Sequence, residues 1–361
     1  MFKIAIVTRS MLAGGAERVI SVLANSWVKL GCECYLFTID NEKIFYRLDN
    51  KIKIIPIGRR SYFRIFDKFY RYRELRSQIV KLNPDIVLSM PEDIGIYVIL
   101  ALMGLKIPVV VSERNNPWVM PNKMITRLLR NFAYIKVNGL VFQTDKAASF
   151  FSLNIRNKGI ILPNPLDLSH IPDAHTGIRE KTIVSIGRLE KQKNFYLLID
   201  AFSIFLKDHK DFKLIIYGEG SMRDVLVDYS RKKELNDCIS FPGRDPNVVE
   251  KIKNSACFVL SSDYEGLPNA LIEAMAVGVP CIATDCPSGG PASLITDGLN
   301  GFLVPVGDSP ALSNKMGQVV DNHKISKALT EECIKIREIF DSSLVSKMWF
   351  DYLCTVIEKK P

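Results

Sequence analysis

The stretch Ser261-Ser262-Asp263-Tyr264-Glu265-Gly266-Leu267-Pro268-Asn269-Ala270-Leu271-Ile272-Glu273-Ala274-Met275-Ala276-Val277-Gly278-Val279-Pro280 follows the apolar run Ala256 to Leu260 and sets two carboxylates eight residues apart. The apolar run has the length and composition of a buried parallel strand. Pro268 suits the opening of a helix and Gly278 its close, so Glu273 is expected on a rigid element and Glu265 on the loop before it. A strand, a Gly-containing loop and a helix start leave backbone N–H groups and a positive dipole end at the carboxyl edge of a sheet, where a phosphorylated ligand is favoured.

Outward from that run, strand and helix candidates alternate along the whole chain. In the first half the strands are Lys3 to Thr8, Cys34 to Ile39, Ile52 to Ile57, Ile86 to Ser89, Val109 to Ser112, Gly139 to Gln143 and Gly159 to Leu162, with a helix from Gly15 to Leu30. Near-continuous Val and Ile runs suit a parallel sheet covered on both faces. Pro163-Asn164-Pro165 breaks the rhythm, and it resumes in Thr182 to Ile186, Lys213 to Tyr217, Ile239 to Phe241, Cys257 to Leu260, Cys281 to Thr284 and Gly301 to Val304. The expected organisation is an α/β chain of two doubly wound parallel sheets. One domain spans residues 1–165, a linker 166–180 and a second domain 181–343. An amphipathic closing helix over 344–361 carries Trp349, Phe350, Leu353 and Val356 at helical spacing, either clasping both domains or docking on its own.

Composition narrows the class. With 361 residues, 47% of them apolar, the chain can bury two sizeable cores. Its start, Ile4-Ala-Ile-Val7, is too short for a signal peptide, and no run of 18 apolar residues occurs, so a cytoplasmic protein without a membrane span is expected. Eight cysteines without a CxxC pair, and four His without ligand spacing, suggest reduced thiols and no metal site.

Residues 1–165 hold 25 Lys and Arg against 12 Asp and Glu, whereas the remainder holds 23 against 27. Much of the excess lies in 59–76, where Arg59, Arg60, Arg64, Lys68, Arg71, Arg73 and Arg76 interleave with aromatic residues. That pattern fits an interfacial segment on an anionic membrane, the alternative being a solvated helix with inward aromatics. No nucleic-acid signature accompanies it.

Three further segments can carry chemistry. In Ser185-Ile-Gly187-Arg188-Leu-Glu190-Lys-Gln-Lys193-Asn194, an Arg and a Lys five apart beside a Gly can clamp a diphosphate from two directions. The loop Thr8-Arg9-Ser10-Met-Leu-Ala13-Gly14-Gly15 precedes a helix start but is not GxGxxG, which counts against a nicotinamide-dependent oxidoreductase. Tyr217-Gly218-Glu219-Gly220 and Phe241-Pro-Gly243-Arg244 both follow strands, where open α/β sheets bind ligands. GxSxG and GxxxxGK[ST] are absent, and no strict DxD occurs.

Taken together, Gly14-Gly15, Gly187-Arg188 with Lys193, Asn164-Pro165, Glu265-Gly266-Leu267-Pro268 with Glu273-Ala274-Met275-Ala276, and the closing Phe340-Asp341 to Tyr352 segment resemble family 4 of the retaining glycosyltransferases. The resemblance implies the GT-B fold, two Rossmann-like domains facing across a cleft, with a nucleotide sugar held mainly by the second and an acceptor by the first. It implies that Arg188 and Lys193 bind the donor diphosphate and stabilise the leaving group, that Glu273 accepts hydrogen bonds from the ribose, and that Glu265 lies near the transferred sugar. Gly14, Gly15, Gly218, Gly243, Gly266, Leu267 and Asn269 would complete the nucleotide-sugar site.

Retention in this family is described as front-face attack without a protein nucleophile, and neither cofactor nor metal is expected. Relatives often carry a His in a Ser-Glu-His-like segment where this chain has Ser112-Glu113-Arg114-Asn115, so Arg114 and Asn115 become acceptor-binding candidates. An ion pair of Arg114 with Glu113 or a neighbour is the structural alternative. The reading that follows is a UDP-sugar-dependent transferase of galactose or N-acetylgalactosamine, extending a polyprenyl-diphosphate-linked glycan of a bacterial surface polysaccharide at the inner face of the cytoplasmic membrane. A catalytically idle, membrane-associated partner subunit is the alternative, and intact Arg188, Lys193, Glu265 and Glu273 argue against it.

Overall fold

In the computed structural model, which describes residues 2–40, 43–59, 64–175 and 177–359, the chain divides into two units. One comprises the residues up to Pro165 together with those from Phe340 onward, and the other runs from Leu166 to Ile339.

The first unit is built on seven strands, β1 (Lys3–Thr8), β2 (Glu33–Thr38), β3 (Lys53–Pro56), β4 (Ile86–Ser89), β5 (Val109–Ser112), β6 (Gly139–Phe142) and β7 (Gly159–Ile161), in the order β3-β2-β1-β4-β5-β6-β7. All pairs are parallel. Strand order reverses between β1 and β4, so the loops after these strands part and leave a crevice at the carboxyl edge. β1, β2, β4, β5 and β6 are buried almost throughout, as their unbroken apolar runs require.

Opposite faces of this sheet have separate cores. On one side pack the helices Arg64–Leu82, Glu92–Leu102 and Met124–Tyr134, through Leu75, Ile79, Val98 and Tyr134. On the other pack Gly15–Lys29 and the closing helix Ser342–Glu358, through Trp27, Val345 and Trp349. The closing helix is fixed by polar bonds as well as area. Trp349 Nε1 donates to Pro163 O at 3.0 Å, Trp27 Nε1 donates to Ser346 O at 3.0 Å, and Tyr352 OH donates to Lys158 O at 2.7 Å.

The second unit has six parallel strands, β8 (Glu180–Ile186), β9 (Lys213–Tyr217), β10 (Ile239–Gly243), β11 (Ser255–Leu260), β12 (Cys281–Thr284) and β13 (Phe302–Val304), ordered β10-β9-β8-β11-β12-β13. Here the reversal falls between β8 and β11, the strands that feed the Gly187–Asn194 and Ser261–Pro268 loops. Residues 166–180 belong to this unit: His175 N donates to Val277 O, and the half-buried Arg179 donates to Lys253 O, Ser255 O and Thr330 Oγ1.

Within the 59–76 segment, residues 60–63 and the side chain of Arg64 lie outside the described residues. The rest divides its charge. Arg71 is ion-paired to Asp40 and Asp67, and Arg76 donates to Ala101 O and Met103 O, while Lys68, Phe66, Phe69 and Arg73 stay exposed. No helix among the described residues is long and apolar enough to cross a membrane.

Candidate active site

At the switch point of the second sheet, two loops distant in sequence are stitched together. Asp263 N donates to Gln192 O at 2.9 Å and Gln192 Nε2 returns to Tyr264 O at 2.8 Å. Asn194 Nδ2 donates to Asp263 Oδ1 at 2.6 Å, and Ser261 Oγ to Lys193 O at 2.9 Å. Asn194 sits in the left-handed region, φ 42°, which Asn tolerates better than most residues, and its side chain caps the Phe195–Phe205 helix through Leu197 N.

These bonds aim Lys193 at Glu265. Its stem lies against Gly187, and Nζ forms an ion pair with Glu265 Oε1, the two side chains being 14% and 8% exposed. Ser262 Oγ donates to the same oxygen at 2.6 Å. Ser262 is itself held by Thr284 Oγ1 on its carbonyl, and Ser288 Oγ donates to Glu265 O. Glu265 is therefore a residue fixed from three directions, one on its backbone carbonyl and two on its carboxylate, with both side-chain donors on Oε1 and none among the described residues on Oε2. Arg188, two positions beyond β8, is exposed; its backbone carbonyl accepts from Glu190 N at 2.7 Å, and its charge helps hold the Glu190 carboxyl down, behind the bonds from Ser221.

Gly266 and Leu267 lead into the Asn269–Ala276 helix, whose N-cap is Pro268, a residue that makes no side-chain cap bond. Glu273, in the second turn, is 4% exposed. Gly218, at the end of β9, has φ 141°, and a Cβ there would meet Gly187 O at 1.8 Å, which brings the ends of β8 and β9 together. Gly243 ends β10, and its carbonyl accepts from Gly218 N at 2.9 Å. Lys193, Glu265, Gly266, Gly218 and Gly243 thus all stand at one sheet edge, with Arg188 beside them. Sequence reasoning missed Ser262, Thr284 and Ser288; paired hydroxyl residues after strands were the only signal, and it is a common one.

The first unit carries its own charged cluster at the carboxyl edge of β4 and β5. Glu113 is fully buried, pairs with Arg130 Nη1 at 3.0 Å and accepts from Tyr134 OH at 2.6 Å. Burial pushes the Glu113 carboxyl up despite those partners. Of the alternative expected for Arg114, an ion pair with Glu113 or a neighbour, the Glu113 part is corrected: that carboxylate pairs with Arg130. Consecutive residues leaving a strand point apart, so Glu113 turns into the core while Arg114 Nη2 donates to Asn164 Oδ1 at 2.6 Å and its N–H to Glu92 Oε2 at 3.1 Å. Among the described residues Arg114 Nη1 is buried with no hydrogen-bond partner. Burial brings the guanidinium down to about 10, with Glu92 and Glu17 opposing the shift. Asn115 Oδ1 accepts from Asn116 N, and Gly14 and Gly15 stand at the start of the Gly15–Lys29 helix with the Glu17 carboxylate folded back on Gly14.

Glu92 is pushed from 4.5 up to about 8, first by burial and then by Glu113. The folded chain therefore holds a proton at Glu92 that the unfolded chain has released, and stability falls as pH rises from about 4.5 to about 8. Glu92→Gln should remove that fall. Between about pH 5 and about pH 9 the melting temperature of the parent should fall relative to that of the variant; a constant difference would mean that Glu92 is ionised throughout.

Among the described residues no group of three or more His, Cys, Asp or Glu is placed to hold a metal ion. The model of the Glycosyltransferase Family 4 matches residues 13–170, and that of the Glycosyl transferases group 1 matches residues 173–335. An alpha-1,4-N-acetyl-D-galactosaminyltransferase of Campylobacter jejuni, named for a diNAcBac-PP-undecaprenol-linked substrate, is 27% identical over 99% of both chains. The amylovoran biosynthesis glycosyltransferase AmsD of Erwinia amylovora is 26% identical over 98% of this chain and 100% of its own length. In fold, sucrose-phosphate synthase from Thermosynechococcus elongatus superposes with a TM-score of 0.85 at 15% identity, covering 99% of this chain and 100% of that one. HepE from Anabaena, solved in complex with UDP, gives 0.81 at 15% identity over 98% and 100%. Two parallel-sheet Rossmann-like units of this kind are the GT-B fold, and the chain belongs to the glycosyltransferases that join a Family 4 first half to a group 1 second half.

Proposed function

We propose that this glycosyltransferase is a retaining, metal-independent enzyme that moves galactose or N-acetylgalactosamine from a UDP-sugar to a polyprenyl-diphosphate-linked glycan in surface polysaccharide biosynthesis. The observation that carries the reading is the Lys193–Glu265 pair, held rigidly beside a helix start whose N-cap is Pro268 and next to the exposed Arg188 at the second sheet's switch point. Departure of a nucleoside diphosphate concentrates negative charge on oxygen. Prepositioned cations and helix N–H groups stabilise that charge without reorganising.

In this reading Arg188 and Lys193 take the diphosphate, and Glu273 accepts from the ribose. Glu265 Oε2, Gly266, Leu267 and Asn269 face the sugar, while Gly218 and Gly243 border the base. Arg114 and Asn115 meet the acceptor, Arg114 through its unpartnered Nη1. The names of the Campylobacter and Erwinia relatives support a lipid-linked acceptor and a polysaccharide product. The enzyme then works as a cytoplasmic protein peripheral to the inner face of the membrane, where exposed Phe66, Lys68, Phe69 and Arg73 of the 59–76 segment would meet anionic lipid.

Purified protein incubated with a panel of UDP- and GDP-sugars and a polyprenyl-diphosphate glycan in EDTA should turn over a UDP-galactose-type donor and give an α-linked product. A strict divalent-metal requirement, a β-linked product or a GDP donor would each overturn the corresponding part of the proposal.

A further inference from the structure

Lys193 is not a bare cation. Its Nζ is ion-paired to Glu265 Oε1, and the two side chains are 14% and 8% exposed, a setting in which water and salt screen charge poorly. Both ends of the pair are fixed. Lys193 N donates to Glu190 O at 3.0 Å and Lys193 O accepts from Ser261 Oγ at 2.9 Å. Ser262 Oγ donates to Glu265 Oε1 at 2.6 Å, and the Ser262 carbonyl in turn accepts from Thr284 Oγ1 and from Cys286 Sγ, the latter at 3.2 Å. A diphosphate arriving at Nζ therefore meets a carboxylate that has no free path of retreat.

Arg188 is accompanied in a similar way. Glu190 accepts from Ser221 N at 3.0 Å and from Ser221 Oγ at 2.9 Å, and those bonds, then the Arg188 charge, hold its carboxyl below the usual range. Asp263, the remaining acid of the two loops, is taken by Asn194. Of the carboxylates beside the two cations, Glu265 is the more buried and in direct contact, so it has the larger effect on a bound anion. What that effect is depends on the charge of the ligand. In glycosyl transfer the bond from the anomeric carbon to the terminal phosphate oxygen breaks and its electrons stay on that oxygen. The anomeric carbon bonds to the acceptor oxygen, and the acceptor's proton is released to water. The departing diphosphate then carries one more negative charge than the donor, since at neutral pH the second ionisation of a terminal phosphate is largely complete. Glu265 repels that added charge. Toward the donor it acts oppositely, because Oε2, which no donor among the described residues reaches, can accept from a sugar hydroxyl.

We propose, resting on the placement of the donor diphosphate at Arg188 and Lys193 argued above, that Glu265 is a specificity-determining residue that discriminates by charge. By neutralising Lys193 it lowers the affinity for the released nucleoside diphosphate relative to the esterified one, and so favours donor over product at the same site.

Isothermal titration of the full chain with UDP, and with UDP methylated on its terminal phosphate, isolates the effect, since the ester has the donor's charge and no sugar. The readout is the ratio of the two dissociation constants within one protein, which a change in the amount of folded protein leaves untouched. Relative to the parent, Glu265→Gln should shift that ratio about tenfold in favour of UDP, and Lys193→Met, which leaves the carboxylate without its cation, about tenfold in favour of the ester. A purely structural role would weaken both ligands together and leave the ratio alone. An unchanged ratio in Glu265→Gln, or shifts of the same sign in the two variants, would sink the discrimination while the diphosphate site stands. Binding of GDP and its methyl ester in place of the uridine pair would overturn only the base of the donor, and the same ratios would then decide. Binding of neither pair would remove the diphosphate site, and the discrimination with it.

Discussion

Lys193→Met is expected to lower turnover by about 10² to 10³, the usual cost of removing one prepositioned donor from developing negative charge. The same change leaves Glu265 largely buried with only Ser262 on its carboxylate, and the uncompensated charge should cost about 3 kcal/mol of stability. Those two effects separate by a second substitution. Lys193→Met with Glu265→Gln restores a neutral, hydrogen-bonded site and should recover most of the melting temperature while turnover stays low. Arg188→Ala provides the complement: the side chain is exposed, so stability should change little while turnover falls by a similar factor of about 10². Near-wild-type rates in either single variant would remove the diphosphate clamp from the mechanism. Recovery of rate in the double variant would show that Lys193 serves only to fold the loop.

Gly290→Ala should be nearly as damaging to turnover, by a different route. The backbone at Gly290 is helical, φ −59° and ψ −58°, so alanine suffers no conformational strain. Its Cβ, however, would lie 1.6 Å from Gly266 O and 3.4 Å from Pro268 Cδ. A backbone carbonyl has no rotamer by which to retreat, so the Gly266–Pro268 segment must move by more than an ångström to reach ordinary contact. Overpacking of this kind costs about 3 kcal/mol. Displacement of the loop that carries Glu265 into the helix start should reduce turnover about 10²-fold. Thermal melting and steady-state rates check both parts; wild-type kinetics at a lowered melting temperature would dissociate this loop from the site.

The alternation of Val- and Ile-rich runs with helical segments was enough to reveal both parallel sheets, because a strand covered on both faces has nowhere to place polar residues. Strand ends were less legible. β8 begins at Glu180, two residues before its apolar run, because Glu180 pairs with Ser255 of β11 and backbone pairing is indifferent to side-chain polarity. The meeting of Lys193 with Glu265 was not legible from spacing, since it depends on β8 and β11 lying side by side. The orientation of Met124–Tyr134 was hidden for a related reason. Periodicity shows that a helix has an apolar stripe, but which side turns inward was decided by Glu113, a buried carboxylate that draws Arg130 and Tyr134 to itself. Likewise, adjacent charges at Glu113 and Arg114 suggested a pair that the alternation of side chains along extended backbone forbids.

The closing helix Ser342–Glu358 has a bearing on how the molecule is made. It supplies Trp349, Leu353 and Val356 to a core whose other members, such as Ile4, Trp27 and Leu88, emerge from the ribosome more than 250 residues earlier. The second unit, from Leu166 to Ile339, is contiguous and can finish folding while the first still lacks one wall. During synthesis the half encoded first is thus the half completed last, and the nascent chain carries an open apolar face through most of translation. Premature termination anywhere before Ser342 would leave that face uncovered, making such products substrates for chaperones and proteases even when every residue of the second unit is in place.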